Sequence, residues 1–417
     1  MKLDREKIVE RFLAYTRFDT QSNAKSDTWP STPGQIELGK YLMEELRQVG
    51  LSDIEMDENG YVMATLPGNT EGSAVIGFIT HMDTATDLTG KDVKARVVKN
   101  YPGGEIVLNE GLEIALSPKD FPEMENYIGD DIVVTDGTTL LGADNKGGIC
   151  SVVSAVEYLL AHPEIPRPKI RIGFTPDEEI GRGGVRFDVE KFGADFAYTI
   201  DGGSLGNMQY ETFNAADAQV TIRGRSVHPG TAKNQMINAL QVAYELNSLL
   251  PSAERPEYTN GYEGFFHLKS LSGAVDSAKM HILVRDFDRE KFEARKNLLW
   301  QAEKYLNLRY GEGTIQVDMW DMYYNMREVI EPVMPIVDLA REAMEGLGIT
   351  PKIFPFRGGT DGSIISHKGL PCPNLFEGGH NYHGKYEFLP VGSLEKSIQL
   401  VVEIAKQVAE KKITLSK

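Results

Sequence analysis

Three apolar runs of strand length constrain the fold of this chain more than any other feature. They occupy residues 74–79, 170–174 and 196–200, and a helix-period segment with Ile149 and Val156 on one face separates the first two. Strands that are apolar on both faces are typical of parallel sheets covered by helices. We therefore expect an α/β fold with a mixed, largely parallel sheet flanked by helices.

The middle of the chain shows a different order of elements. From about residue 212 the apolar pattern alternates between strand and helix periods in the order β-α-β-β-α-β, which is typical of a ferredoxin-like α+β module. The elements of this module are expected near residues 218–222, 237–250, 265–271, 280–284, 288–306 and 315–319. After it, helices are expected at residues 329–347 and near residues 394–410.

We therefore predict two nested domains. Residues 1–211 and 325–417 form the first domain, and residues 212–324 form a second domain inserted into it. The inserted domain is expected to have a sheet of its own, because its elements complete one α+β module without strands from elsewhere.

The composition excludes several classes of partner and site. With 44 basic and 61 acidic side chains, the chain of 417 residues has a net charge of −17. Nucleic acids and anionic membranes attract basic surfaces, so we expect neither as a partner. The two cysteines are too few for a disulfide framework or a Cys-rich zinc module. No apolar run reaches the roughly 18 residues that span a bilayer, and we expect a cytoplasmic protein.

Side chains that bind metal ions occur where the apolar runs end and where the following helix begins. In chain order they are His81, Asp83, Asp144, Glu178, Glu179 and Asp201. The carboxyl ends of parallel strands meet at one edge of an open α/β sheet, and ligands bind at that edge. The pattern therefore predicts that one imidazole and several carboxylates lie close together.

Such a group of carboxylates requires a counter-charge, because neighbouring acids raise one another's pKa. One or two divalent cations would supply it, and a mixed imidazole and carboxylate set suits Zn²⁺, Mn²⁺ or Co²⁺ better than Ca²⁺. Asp144 lies at a predicted helix N-terminus, where the helix dipole favours the ionised form that a bridging ligand needs. A second imidazole is available late in the chain, from His380 or His383.

A competing motif suggests a serine hydrolase. Residues 202–206 satisfy G-x-S-x-G around Ser204, and Asp361 and His383 follow in the chain order of a catalytic triad. However, that motif requires a turn from a strand into a helix, whereas a strand-like segment follows Ser204 within about ten residues. The serine hypothesis also leaves Asp144 and Glu178 without a role. It remains a remote alternative.

Five short motifs together resemble the co-catalytic di-zinc exopeptidase and deacylase family, which includes carboxypeptidase G-like enzymes and aminoacylases. The motifs are His81-x-Asp83, Gly142-Ala143-Asp144-x-Lys146-x-Gly148, Asp177-Glu178-Glu179, Asp201-Gly202-Gly203 and the late His383. Residues 15–22, 357–362 and 381–384 are similar to the aminotripeptidase branch of that family. The resemblance covers nearly the whole chain and implies a zinc-exopeptidase-like fold in which the inserted domain is a lid.

The resemblance also implies a set of metal ligands. His81 and Asp201 would bind one ion, Glu179 and His383 would bind the other, and Asp144 would bridge the two. The peptide bond after Asp144 would be cis. The implied cofactors are two divalent metal ions per subunit. Zn²⁺ is the expected ion, and Mn²⁺ and Co²⁺ are alternatives.

Catalytic and substrate-binding roles follow from the same resemblance. Glu178 would be the general base that takes a proton from the attacking water and passes it to the leaving amine. Asp83 would hydrogen-bond the metal-binding imidazole and orient it. The residues expected to contact substrate are His228 at the carbonyl oxygen, Asn238 at the backbone, and Arg285 and Arg357 at a C-terminal carboxylate.

These observations together predict a metallo-aminopeptidase that releases the N-terminal residue from tripeptides. A small peptide is the expected substrate, and the resemblance implies a homodimer formed through the lid domain. A dipeptidase or an N-acyl amino acid deacylase of the same family is the main alternative. A non-catalytic relative that only binds ligands is disfavoured, because every expected ligand and base position is occupied by a suitable residue.

Overall fold

The computed structural model describes residues 1–413 and divides them into two compact units. The main unit contains Met1–Tyr210, Met326–Phe354 and the described residues from Thr360 onward. The inserted unit contains Glu211–Asn325 and Pro355–Gly359.

Two helices and then seven strands occupy residues 5–134, and helices and strands are interspersed from residue 143 onward. The α-helices are α1 (Arg5–Tyr15), α2 (Pro33–Val49), α3 (Ala143–Ala161), α4 (Val189–Phe192), α5 (Ala239–Leu249), α6 (Arg289–Tyr310), α7 (Arg327–Ile330), α8 (Pro335–Gly346), α9 (Asp361–His367) and α10 (Val391–Lys411). The strands are β1 (Ser52–Met56), β2 (Val62–Leu66), β3 (Ile76–His81), β4 (Arg96–Val98), β5 (Ile106–Asn109), β6 (Ile114–Leu116), β7 (Ile132–Val134), β8 (Ile170–Thr175), β9 (Phe196–Ile200), β10 (Asn207–Gln209), β11 (Asn214–Arg223), β12 (Phe265–Gly273), β13 (Ser277–Asp286), β14 (Ile315–Tyr323), β15 (Lys352–Ile353), β16 (Asn374–Leu375) and β17 (Phe388–Pro390).

The main unit is built on an eight-stranded sheet with the order β1-β2-β8-β3-β9-β16-β10-β15. Its centre is parallel, since β3 pairs with β8 and β9 and β16 pairs with β9 in the same direction. Strands β2 and β10 run antiparallel to β8 and β16. The predicted α/β class with a mixed, largely parallel sheet is confirmed.

The core of the main unit lies between this sheet and its covering helices. Fully buried side chains in it include Phe78 on β3, Ile172 on β8, Val153 on α3 and Val401 on α10. Burying each large apolar side chain contributes about 1.5–3 kcal/mol. A core of this kind holds the ends of β3, β8 and β9 in a fixed arrangement.

The inserted unit has a separate antiparallel sheet of order β12-β13-β11-β14. Helices α5 and α6 pack against it, and Val220, Ile282 and Leu299 are buried there. The sequential order of its elements, β-α-β-β-α-β, and this strand order agree with the ferredoxin-like module that the sequence pattern predicts.

Residues 355–359 join the inserted unit, although they fall within the predicted range 325–417 of the first domain. The reason is backbone hydrogen bonding that no periodic pattern signals. Phe356 N–H donates to the Glu211 carbonyl at 2.9 Å, and Phe213 N–H donates to the Gly358 carbonyl at 3.2 Å.

The prediction of one helix at residues 329–347 is wrong. Helix α7 ends at Ile330, a 3₁₀ turn covers Glu331–Val333, and α8 begins at Pro335. Pro332 and Pro335 lack the backbone N–H that a helix interior requires, so the helix is divided between them.

Two small sheets, formed by strands between residues 96 and 134 together with β17, are not predicted from the sequence. One pairs β7 with β4 and β17, and the other pairs β5 with β6. Their strands are three or four residues long, which is too short for an apolar period to be recognised. Within residues 1–413, no helix is long and apolar enough to cross a membrane.

Candidate metal centre

Parallel pairing brings the predicted ligands to one edge of the main sheet. His81 is the last residue of β3, Asp201 directly follows β9, and Glu179 lies in the 3₁₀ turn after β8. Strand β3 lies between β8 and β9, and all three run in the same direction. Their carboxyl ends therefore lie side by side, where ligands bind in open α/β sheets.

Asp144 reaches the same edge from the start of α3. Asp144 and Asn145 have non-helical backbone angles, and the peptide bond between them is cis, as the resemblance implies. Asp144 N–H donates to Glu387 Oε1 at 3.1 Å. The N–H groups of Leu141 and Gly142 donate to Glu387 Oε2 at 2.7 and 2.8 Å. Glu387 thereby holds the segment that carries Asp144.

The first group of ligand atoms comes from His81, Asp144 and Asp201, and these atoms lie within 4.8 Å of one another. His81 Nε2 is 2.9 Å from Asp144 Oδ1 and 3.7 Å from Asp201 Oδ1. One nitrogen and two carboxylate oxygens in this arrangement form a set that could hold a divalent cation.

The second group uses the other oxygen of Asp144. His383 Nε2 is 3.3 Å from Asp144 Oδ2 and 3.1 Å from Glu179 Oε2. Asp144 is thus shared by both groups, with Oδ1 in one and Oδ2 in the other. The arrangement has the form of two adjacent cation sites joined by one carboxylate.

The electrostatics of the site fit bound cations. Burial raises the pKa of Glu179 to about 8, and the negative charge of Asp144 acts in the same direction. Hydrogen bonds to Asp144 and Glu179 raise the pKa of His383 to about 11. The carboxylates therefore stabilise positive charge at this position strongly. Glu179 Oε1 is buried and has no hydrogen-bond partner within residues 1–413, so a ligand atom is available there.

Asp83 connects the first imidazole to the turn that carries the acids. His81 Nδ1 lies 3.1 Å from the Asp83 carbonyl oxygen and 3.3 Å from Asp83 Oδ1. The two carboxylate oxygens of Asp83 accept the N–H groups of Glu178 and Glu179, each at 3.0 Å. Asp83 is fully buried, and its contacts orient both the imidazole and the turn.

Glu178 lies beside the ligand groups without belonging to either of them. Burial raises the pKa of its carboxyl group well above the usual value, and the nearby charges of Asp201, Asp361 and Glu179 add to this shift. An acid at this position can exchange a proton with a reacting group, provided that substrate or water lies within hydrogen-bond reach.

Three buried acids near the metal centre, Asp361, Glu377 and Glu387, are not predicted from the sequence to belong to it. The contacts of Glu387 are described above. Asp361 accepts a hydrogen bond from Thr175 Oγ1 at 2.6 Å. Glu377 Oε2 accepts the Gly203 N–H at 2.9 Å, and its Oε1 bonds the Tyr382 hydroxyl. No short sequence motif distinguishes these acids from exposed ones, although Asp361 lies in a segment that resembles the aminotripeptidase branch.

The four predicted substrate-binding residues all lie in the inserted unit. His228 is exposed on a loop, and Asn238 caps α5 by accepting the Leu240 N–H at 3.0 Å. Arg285 Nη1 donates to the carbonyls of Ala216 and Val284. These positions are therefore not part of the ligand cluster in the main unit.

The guanidinium of Arg357 is hydrogen-bonded to other residues of the inserted unit. Its Nη1 donates to the carbonyls of Gly261 and Glu263, each at 2.8 Å. Its Nη2 donates to the carbonyl and hydroxyl oxygens of Thr259. Both ends of the guanidinium fork thus hold the loop of residues 259–263.

His380 lies apart from the ligand groups. Its ring stacks on Phe388, and its Nε2 is 2.7 Å from the Tyr127 hydroxyl. Burial lowers the pKa of His380 to about 4. The structure therefore places His383, and not His380, with the other ligands.

The triad of the serine hypothesis is not formed within residues 1–413. Ser204 is followed by strand β10, not by the helix that the motif requires. Asp361 bonds Thr175, and His383 contacts Asp87, Asp144 and Glu179. Ser204 has neither a histidine nor an acid as a hydrogen-bond partner among these residues.

A comparison with known families accounts for this geometry. Residues 135–407 match the model of Peptidase family M20/M25/M40, and this range is more than half of the chain. The chain belongs to peptidase family M20/M25/M40. The predicted membership in a metal-dependent exopeptidase and deacylase family agrees with this match, and the chain is a peptide hydrolase, as predicted.

Relatives within the M20/M25/M40 family are similar over nearly the full chain. Peptidase T of Bacillus subtilis strain 168 is 56% identical over 404 residues, which cover 97% of this chain and 98% of that protein. The crystal structure of aminopeptidase PepT from Bacillus cereus ATCC 10987 has a TM-score of 0.78 at 24% identity and covers 98% of this chain and 99% of that chain. A tripeptidase from Staphylococcus aureus has the same TM-score at 22% identity and the same coverage. At these identities the two structures show the shared fold.

Proposed function

We propose that this chain is a tripeptide aminopeptidase that works with two divalent metal ions. The observation that carries the proposal is the pair of ligand groups that share Asp144, with Glu178 beside them. The full-length relative named peptidase T supports the aminopeptidase assignment. Zn²⁺ is the proposed metal, with Mn²⁺ and Co²⁺ as alternatives that the same nitrogen and oxygen ligands accept.

The residues of the main unit divide the chemistry between them. His81, Asp201, Glu179 and His383 would hold the ions, with Asp144 between them. Bound divalent ions supply Lewis-acid chemistry, which activates water and polarises a carbonyl group. Glu178 takes the proton of the attacking water and delivers it to the leaving amine.

A limit on peptide length requires a group that binds the substrate C-terminus. Arg285 uses only Nη1 in hydrogen bonds, and its guanidinium lies over the Tyr323 ring, so its Nη2 and Nε have no hydrogen-bond partner within residues 1–413. Both Nη atoms of Arg357 are occupied by the loop of residues 259–263. We therefore assign the carboxylate contact to Arg285, because Arg binds carboxylates through two parallel hydrogen bonds. His228 and Asn238 remain proposed contacts to the substrate carbonyl and backbone.

A substrate panel tests the proposed activity. With added Zn²⁺, Mn²⁺ or Co²⁺, we expect a free tripeptide to be cleaved after its first residue with a higher kcat/KM than the matching dipeptide and tetrapeptide. An N-acetylated amino acid should not be hydrolysed. Chromatography of the products measures both rate and cleavage position. Hydrolysis of the N-acetylated substrate alone would show a deacylase, and preference for the dipeptide would show a dipeptidase.

Replacing Arg285 with alanine should raise KM for a free tripeptide, because a charge-assisted pair is lost from the substrate. Hydrogen bonds to charged groups contribute about 1.5–3 kcal/mol, which corresponds to roughly a 10- to 150-fold change in kcat/KM. The same variant should hydrolyse the C-terminally amidated tripeptide at the wild-type rate, because that substrate has no carboxylate to lose. Equal losses for the free acid and the amide would contradict a contact to the carboxylate.

We also propose a homodimer formed through the inserted unit and a cytoplasmic location. The inserted unit exposes Tyr244 on α5 and Leu308 on α6 at 70% and 80% of their surface, which is apolar area available for contact. Native mass spectrometry of the full chain tests the dimer. Cys150 and Cys372 are free and buried, which fits a reducing compartment, and cell fractionation tests the location.

A further inference from the structure

Asp177 precedes Glu178 and Glu179 and is fully buried. Its backbone is in the left-handed region, with φ at 59°, which few residues other than glycine adopt. Its carboxylate accepts the Ser31 N–H at 2.7 Å and also the Ser31 hydroxyl. An unusual backbone conformation is thus held by contacts of its own side chain, directly before the two acids.

Gln35 completes this arrangement from the first turn of α2. Its Nε2 donates to Asp177 Oδ1 at 2.7 Å, and its Oε1 accepts the Asp177 N–H at 3.0 Å. The primary amide therefore bonds both the side chain and the backbone of Asp177. Gln35 is itself fully buried, and Thr32 Oγ1 accepts a further hydrogen bond from its Nε2 at 3.1 Å.

Ser22 links Asp177 to Asp83. The Ser22 hydroxyl donates to Asp83 Oδ2 and lies 3.4 Å from Asp177 Oδ1. Asp83 in turn accepts the N–H groups of Glu178 and Glu179. The turn is therefore held at two places. Asp177 directly precedes it, and Asp83 accepts hydrogen bonds from its backbone N–H groups.

The side chain of Glu178 makes no hydrogen bond to another residue within residues 1–413. Its direction therefore depends on the backbone of the turn that carries it. That turn is a 3₁₀ helix of three residues, Glu178–Ile180, which has little stability of its own.

We propose that Ser22, Gln35 and Asp177 are positioning residues that fix the turn of Glu178 and Glu179 in the geometry that catalysis requires. The inference rests on the proposed function for the role of Glu178, and on the contacts alone for the rigidity of the turn. A general base must be placed within hydrogen-bond reach of the proton it takes. Partners that orient catalytic groups typically change activity by about 10- to 100-fold when they are removed.

Two variants remove separate parts of this arrangement. Ser22→Ala removes the link between the two carboxylates, and Gln35→Met removes both bonds to Asp177 at similar side-chain volume. Ser154→Ala is the matched control, because Ser154 and Ser22 are each 5% exposed and each hydrogen-bonds a charged side chain. Ser154 accepts from Arg11 and has no contact with the turn.

Hydrogen exchange of the segment 177–181, followed by mass spectrometry, measures the rigidity of the turn independently of activity. In the full chain, with and without added Zn²⁺, we expect exchange about tenfold faster in Ser22→Ala and Gln35→Met than in the wild type. Ser154→Ala should exchange as the wild type does in this segment. Unchanged exchange in both test variants would overturn the proposal, whatever the enzyme hydrolyses.

Kinetics provide the second measurement. With divalent metal in excess, we expect kcat for a tripeptide to fall by about 10- to 100-fold in both test variants, with KM changed by less than about threefold. Ser154→Ala should keep the kcat of the wild type, even if its thermal unfolding temperature falls as much as that of Ser22→Ala. Folded test variants with the kcat of the wild type would overturn the catalytic part of the proposal. A wild type without peptidase activity would overturn the proposed function and leave the exchange result to decide on the turn.

Discussion

Replacing Glu178 with alanine should lower kcat for a tripeptide by roughly 10²–10⁴-fold while both metal ions remain bound. Glu178 belongs to neither ligand group, so its removal leaves His81, Asp144, Glu179, Asp201 and His383 in place. What is lost is the carboxylate that takes and returns the proton. Steady-state kinetics together with elemental analysis of the purified variant measure the two quantities separately.

An exposed acid provides the control for this variant. Glu10→Ala, on the solvent face of α1, should keep both the rate and the metal content of the wild type. If Glu178→Ala keeps more than about a tenth of the wild-type kcat, Glu178 is not the general base. Asp361 would then be the next acid to test, because it is buried and its pKa is raised to about 7 by burial.

Replacing Asp144 with alanine should remove both metal ions and the activity together. Asp144 contributes one oxygen to each ligand group, at 2.9 Å from His81 Nε2 and 3.3 Å from His383 Nε2, so neither group is complete without it. Metal ions contribute several kcal/mol of transition-state stabilisation, and about 4 kcal/mol corresponds to a loss on the order of 10³-fold in rate. Elemental analysis after dialysis measures the bound metal, and Glu178→Ala is the contrasting variant that should retain it.

Chelation gives the complementary test of the same site. Activity of the wild type should disappear with EDTA and return when a divalent metal is added in excess. An Asp144→Ala variant with the metal content of the wild type would show that the two groups do not bind the ions. Activity that survives EDTA but is lost in Ser204→Ala would instead support the serine mechanism.

The apolar runs predict the central sheet and the edge at which the ligands meet. A strand buried on both faces must be apolar throughout, and this leaves a visible run at β3, β8 and β9. Polar residues can follow only where the strand leaves the core, so His81, Glu179 and Asp201 are found at strand ends. The pairing of His383 with Asp144, 239 positions earlier in the chain, follows from the resemblance and from tertiary structure, because spacing carries no such information.

Other features of the site could not be predicted from a local sequence pattern. Glu387 is a buried carboxylate that holds three backbone N–H groups near Asp144, yet it lies in a segment with ordinary turn composition. Strand β16 has only two residues and joins the main sheet beside β9. The hydrogen bonds of the Arg357 guanidinium to the loop of residues 259–263 are a further example, and its predicted contact to substrate stays a prediction.

The amino-acid sequence by itself determined the α/β class, the nested module and the positions of the metal-binding side chains, because burial and strand ends impose a pattern on neighbouring residues. Tertiary structure alone decided which oxygen of Asp144 serves each group and which buried residues hold the turn of Glu178. These depend on distances between atoms that are far apart in the chain. Such distances arise only when the separate elements pack into one core.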